Sequence, residues 1–286
     1  MKRSVYLFAL LAVNLGLTGC FSVEMRVQLQ PDGQGKIIEK VAVQKAFLAQ
    51  MQTMIEGFGQ QMGAAKKAKI EPAQMFSEKQ AKERVAALGP GVKFVSCKPI
   101  STAEQEGMES VYTFTDVSQL KLGNPSEALS GVSPIPSAEP VSVGTLRLEK
   151  LPGGKSRLTI LPSEQMQRKI SGAKSAPDST ESKPSRAPTP EELEQVRKLF
   201  SGMRFAVSVE LMGRILTPSH PCLTENRINL LEMDMDKLMA AAGNFSLLGA
   251  LNSGDPASIQ RLIQQAGGID GMKICLSPDL QVEFTQ

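Results

Sequence analysis

Val23-Glu24-Met25-Arg26-Val27-Gln28-Leu29-Gln30-Pro31-Asp32-Gly33-Gln34-Gly35 is the stretch on which the fold turns. Val23, Met25, Val27 and Leu29 alternate with Glu24, Arg26 and Gln28. That period of two puts an apolar row on one face of a strand and a polar row on the other. Pro31 to Gly35 supplies turn residues, and Ile37, Val41 and Val43 resume the apolar row, so Val23 to Val43 reads as a β-hairpin.

Working outward, more hairpins follow. Val92 to Cys97 and Val111 to Val117 read as a strand pair joined by the polar stretch Ser101 to Glu109. Thr145 to Leu151 and Ser156 to Leu161 flank a Pro152-Gly153-Gly154 turn. Phe205, Val207, Val209 and Leu211 alternate again, and Gly213 bends the chain into Arg214-Ile215-Leu216. Ile228 to Met233, Met272 to Cys275 and Leu280 to Phe284 complete the strands. Helices are expected between them. One starts near Lys45 and carries Phe47, Leu48, Met51, Met54, Ile55, Phe58 and Met62 at spacings of three and four, before a basic tail of Lys66, Lys67 and Lys69. Others cover Pro72 to Leu88, Pro190 to about Phe200, a short segment from Asp234 or Asp236, and Ala257 to Ala266. Strands arranged as hairpins, not as repeating βα units, predict an α+β fold of antiparallel hairpins packed with amphipathic helices.

The residues before the first hairpin state how the chain is delivered. Lys2 and Arg3 precede Val5 to Leu17, an apolar run broken by Asn14. That is too short for a membrane span, which needs about 20 apolar residues, and it has the layout of an export signal. It ends in Leu17-Thr18-Gly19-Cys20, the pattern of lipoprotein cleavage. Residues 1–19 are therefore expected to leave as a signal peptide, and Cys20 to become the lipidated first residue, its thiol taking a diacylglyceryl group of palmitate type. Each buried acyl CH₂ contributes about 0.8 kcal/mol of membrane attachment. Phe21-Ser22 follows in place of the Asp that often signals inner-membrane retention, which points to the outer membrane. Residues 20–286 then form a single mature envelope domain, with flexible insertions at about 123–140 and 171–190 that are too poor in large apolar residues to offset their ordering entropy.

Composition limits the partners. With Lys2 and Arg3 removed, the 32 basic residues fall to 30 against 29 acidic ones. A near-neutral chain with no Trp and two Tyr lacks the basic, aromatic surface that nucleic acid needs. The expected partners are the membrane, through the anchor, and a lipid or an envelope protein.

The head of the chain resembles a group of bacterial lipoproteins that includes the LppM-like family: a lipobox Cys, a strand, a Pro31-Asp32-Gly33 turn and a second strand directly behind it. A late segment fits as well, Phe205 to Glu210 leading to Gly213-Arg214-Ile215, then Asn226-Arg227-Ile228-Asn229-Leu230. The resemblance implies an envelope domain in contact with lipids or glycolipids. The chain departs from it in its long Pro/Ser-rich loops and in having no evident C-terminal transmembrane helix. No binding residue carries over position by position.

Catalytic chemistry has little to work with. His220 is the only histidine and lies beside Cys222 in a loop; residues two apart rarely meet as nucleophile and base. Zinc sites need several His or Cys ligands. Glu232, Asp234 and Asp236 alternate and could share a strand face as oxygen ligands, but they fit a solvated strand end and the cap of the next helix better. Cys97, Cys222 and Cys275 remain after lipidation, and spacing does not choose among their pairings. No cofactor, metal site or catalytic residue is expected, and the chain reads as non-enzymatic. Three readings stand in this order: an anchored lipoprotein binding a lipid, glycolipid or envelope protein through Phe47, Met51, Met54, Ile55, Phe58 and Met62; a structural or assembly subunit of an envelope complex; and a hydrolase. Deleting Ser171 to Pro190 is expected to leave the thermal midpoint unchanged. A loss of several degrees by calorimetry assigns that segment to the folded core.

Overall fold

The computed structural model describes residues 21–49, 52–53, 75–123, 144–163, 201–217, 220–240, 270–275 and 280–286. In chain order its strands are β1 (Phe21–Leu29), β2 (Gly35–Gln44), β3 (Lys93–Ser101), β4 (Gln105–Phe114), β5 (Gly144–Leu151), β6 (Lys155–Pro162), β7 (Arg204–Leu211), β8 (Arg214–Ile215), β9 (Leu223–Thr224), β10 (Arg227–Asp234), β11 (Met272–Ile274) and β12 (Gln281–Thr285). Helices are few among the described residues. They are α1 (Glu78–Leu88), α2 (Met235–Ala240), one 3₁₀ turn at Val117–Gln119 and a helical start over residues 45–49.

Two sheets result. The large one runs β11-β10-β7-β1-β2-β4-β3, with β9 also on β10; the small one runs β5-β6-β12-β8. The β1–β2 hairpin pairs Phe21 with Val43 and Leu29 with Gly35. Its turn depends on Gly33, whose φ of +96° lies where L side chains are strained. At the centre β1 also pairs with β7, in parallel, from Ser22–Arg204 to Leu29–Leu211. This pairing joins the N-terminal hairpins to the C-terminal half of the chain. Gly213 then turns the chain out of the large sheet. A Cβ there would meet the Thr285 carbonyl at 2.1 Å, so only glycine lets β8 reach β12.

The sheets pack face to face. Met25, Val27 and Leu29 of β1, Val207, Val209 and Leu211 of β7, and Ile228 and Leu230 of β10 meet Leu146, Leu158, Ile160, Val282 and Phe284 of the small sheet in one core. At about 1.5–3 kcal/mol for each fully buried large apolar side chain, this layer dominates the stability. The expected α+β fold is therefore overturned. The described residues are mostly β, because what covers the inner face of the large sheet among them is chiefly a second sheet rather than a layer of amphipathic helices. The expected polar connection Ser101 to Glu109 is also corrected. β4 already begins at Gln105, and its carboxylates are paired: Lys40 meets Glu109 at 3.1 Å across the strands, and Lys45 meets Glu106 at 3.0 Å.

The helix expected over Pro72 to Leu88 is described only from residue 75. There α1 starts at Glu78, with Ser77 as its cap accepting from the Gln80 amide at 3.4 Å. The expected helices Pro190 to Phe200 and Ala257 to Ala266 lie outside the described residues, as do nearly all of both Pro/Ser-rich insertions. Among the described residues no helix is long and apolar enough to cross a membrane.

A disulfide closes the edge of the large sheet. β9 pairs with the first part of β10, and β11 with the second part. Between them the Cys222 carbonyl accepts from Asn229 N–H, and Cys275 N–H donates to the Leu230 carbonyl. The Cys222–Cys275 bond joins the two short strands where they meet, across 53 residues of chain. Cys97 stays free and half-buried on β3. In the chain-entropy account a loop of this length is worth about 4 kcal/mol, and native disulfides commonly contribute roughly 2–4 kcal/mol. Cys222→Ser/Cys275→Ser is expected to lower unfolding free energy by about that amount in urea. An unchanged midpoint contradicts the clamp.

Candidate functional site

Along β1, inward-facing residues pass from the inter-sheet core to a second, smaller cluster. Val23 and Val41 begin it, with Met203, Phe205, Met235, Leu238, Met239 and Met272 buried around them and Phe21, Phe76, Met233 and Ile274 partly buried at its margin. Phe21 and Phe205 meet edge to face, centroids 5.4 Å apart. The cluster lies at the end of the large sheet where β1 and β7 start, β10 finishes, and α2 folds back over it. Methionine, unbranched and polarizable, fills such an irregular space more readily than branched residues do.

This end is also held by polar contacts. Asp234 caps α2 by accepting from the Lys237 amide at 3.2 Å, and Asp236 accepts from Gly202 N–H at 2.8 Å. Lys45 donates to the Thr102 carbonyl at 2.7 Å while it pairs with Glu106. The Lys45 ammonium, then the Ser101 hydroxyl, hold the Glu106 carboxyl below its usual range. A depressed carboxyl stabilises the fold above its unfolded pKa, and that contribution is lost as pH falls through the folded value.

Between the two apolar clusters lies a buried ion pair that sequence reasoning did not single out. Glu39 faces inward on β2 and is 4% exposed. Arg84 reaches it from α1, Nε at 3.1 Å from Oε1 and Nη2 at 3.0 Å from the same oxygen. Tyr112 on β4 is fully buried nearby; burial, then the Glu39 charge, pushes its phenol well above the ordinary tyrosine range. The signal was present in the alternation Ile37-x-Glu39-x-Val41, which sets a carboxylate in an apolar row.

The residues singled out from sequence are placed as follows. Cys20 lies just outside the described residues, immediately before β1. Phe47 is half-buried on the helical residues 45–49, beside Leu48, which is buried. Met51, Met54, Ile55, Phe58 and Met62 lie outside the described residues. Cys222 is spent in the disulfide, and its amide donates to His220 Nδ1 at 3.1 Å, so the pair cannot act as thiolate and base. Glu232 binds Arg204 at 3.1 Å, while Asp234 and Asp236 make the separate contacts above, so the three carboxylates do not converge. Among the described residues no group of three His, Cys, Asp or Glu gathers as a metal site.

No family model matches the chain, and no curated protein does. Among solved structures it is similar to the folded domain of LppM from Mycobacterium tuberculosis, determined by NMR. The match has 9% identity, covers 76% of this chain and 84% of that one, and has a TM-score of 0.28. The likeness is weak and says nothing about a ligand.

Removing one partner of a buried pair leaves an uncompensated charge and costs about 3–5 kcal/mol, whereas replacing both with apolar residues is often neutral. Arg84→Met is therefore expected to destabilise strongly, and Glu39→Met/Arg84→Met to recover most of the loss. A double-mutant cycle in urea checks this. Additive losses contradict the pairing.

Proposed function

We propose that the protein is a non-enzymatic envelope lipoprotein, anchored through Cys20, that contacts a lipid, glycolipid or envelope protein at the methionine-rich end of its large sheet. One observation carries the reading. β1 begins at Phe21, the residue after the expected anchor, and Phe21 already packs on the second cluster. With no linker between acyl chains and sheet, this end is held within a few residues of the bilayer. The helical residues 45–49 leave β2 at the same end. Phe47 and, further along the chain, Met51, Met54, Ile55, Phe58 and Met62 form the proposed partner surface. The disulfide supports export, because such bonds persist in oxidising compartments. Of the two membranes of an envelope, the outer one fits Phe21-Ser22 after the cysteine.

Cys20→Ser is expected to abolish acylation and leave uncleaved or soluble protein. A variant cleaved after Gly19 that still fractionates with washed membranes sinks the anchor. Native mass spectrometry of the chain from Ser22 onward, expressed without the signal peptide, is expected to show a lipid adduct that Phe47→Glu depletes. A bare mass moves the reading to a protein partner, for which pull-down from envelope extracts is the measurement.

A further inference from the structure

The outward face of the small sheet is built in rows, and it lies apart from the site described above. Register sets Glu149 of β5 opposite Arg157 of β6, and Arg157 opposite Glu283 of β12. Arg157 is pinned in this acid–base–acid row, 2.6 Å from Glu283 and 3.6 Å from Glu149. The next row sets Arg147 opposite Thr159, and Thr159 opposite Gln281. It contains no carboxylate. Arg147 is exposed, and its guanidinium has no ion pair among the described residues. Leu161 begins the row beyond. Arg147, Glu149, Arg157, Thr159, Leu161 and Gln281 line an open cleft of about 370 Å³.

The donors of the middle row point to an anion. A guanidinium, a hydroxyl and an amide approach an anion from several directions, which suits the tetrahedral set of bridging and non-bridging oxygens of a phosphate ester better than the planar pair of a carboxylate. Glu149 adds a second requirement. It is 60% exposed and held by Arg157 only at 3.6 Å. It lies two residues from Arg147 on one strand, so both side chains share a face about 7 Å apart. A cationic amine beside the phosphate would satisfy it. Leu161 flanks the anion row on the other side and offers apolar contact for carbon beyond the phosphate.

We infer that this cleft binds a phosphate ester carrying a primary amine, with the phosphate on Arg147, Thr159 and Gln281 and the amine on Glu149. That chemistry is shared by a soluble amino-alkyl phosphate and by the headgroup of an aminophospholipid. The test uses the chain from position 20 onward, expressed without the signal peptide and with Cys20→Ser, in isothermal titration with glycerophosphoethanolamine, set against glycerophosphate. Saturable binding is expected. Arg147→Ala should weaken it roughly tenfold, the scale of one lost charge-assisted contact. Glu149→Gln should erase the preference for the amine-bearing ester and leave glycerophosphate binding in place. Both side chains are exposed, so unchanged thermal melts separate lost binding from lost fold. Flotation with vesicles of phosphatidylethanolamine distinguishes the sources: Arg147-dependent flotation assigns a lipid headgroup, and binding of the soluble ester alone assigns a soluble ligand. No saturable heat up to millimolar ester, or equal affinity in Arg147→Ala, overturns the inference.

Discussion

Val23, Met25, Val27 and Leu29 form the row on which the structure closes; none is more than 1% exposed. β1 is paired on both edges, antiparallel to β2 and parallel to β7, so its register sets the register of the whole large sheet. A slip of one residue would turn this row to solvent and bring Glu24, Arg26 and Gln28 into the core. Three residues of the row face the small sheet and one faces the methionine-rich cluster, so a single strand serves both cores.

What lies between those cores limits what each can do. The Glu39–Arg84 pair divides the inner face into a well-filled inter-sheet layer and a smaller, more adaptable cluster. Such a pair is weak support for stability in itself, since its desolvation offsets much of its attraction. Its effect is positional: it holds α1 against β2 in one orientation. The disulfide has a similar role at the opposite edge, where it fixes two strands of two and three residues onto β10. Strands that short would fray without it.

The sequence was legible where a residue's role is local. The alternation of β1 and β2 around Gly33, that of β5 and β6 around Pro152-Gly153-Gly154, and the bend at Gly213 all depend on neighbours within a few positions. They appear where expected. The cap formed by Asp234 was legible for the same reason. Layering was not. Nothing in Leu146, Leu148, Leu158 or Ile160 says that their apolar side closes over β1 and β7, because sheet-on-sheet packing brings together residues from about fifty to more than a hundred positions apart. Helical spacing after Lys45 therefore drew weight that belonged to a second sheet. The parallel pairing of β1 with β7 and the Cys222–Cys275 bond were equally hidden, both being long-range choices that spacing does not make. At the proposed site the anchor and Phe47 were legible, whereas the aromatic contact of Phe21 with Phe205 and the cluster behind it appear only in the fold.

The central claim is an orientation: acyl chains at Cys20 hold the Phe21 end of the large sheet at the bilayer and leave the turn after β1 far from it, a strand length of roughly 26 Å away. Fluorescence quenching by brominated lipids tests this most directly, with a label placed at Ala103, in the turn beside the anchored end, or at Asp32, in the turn at the far end, each in the acylated protein with Cys97 replaced by Ser. The account predicts strong quenching at Ala103 and little at Asp32. Equal quenching at both positions, or stronger quenching at Asp32, would contradict it.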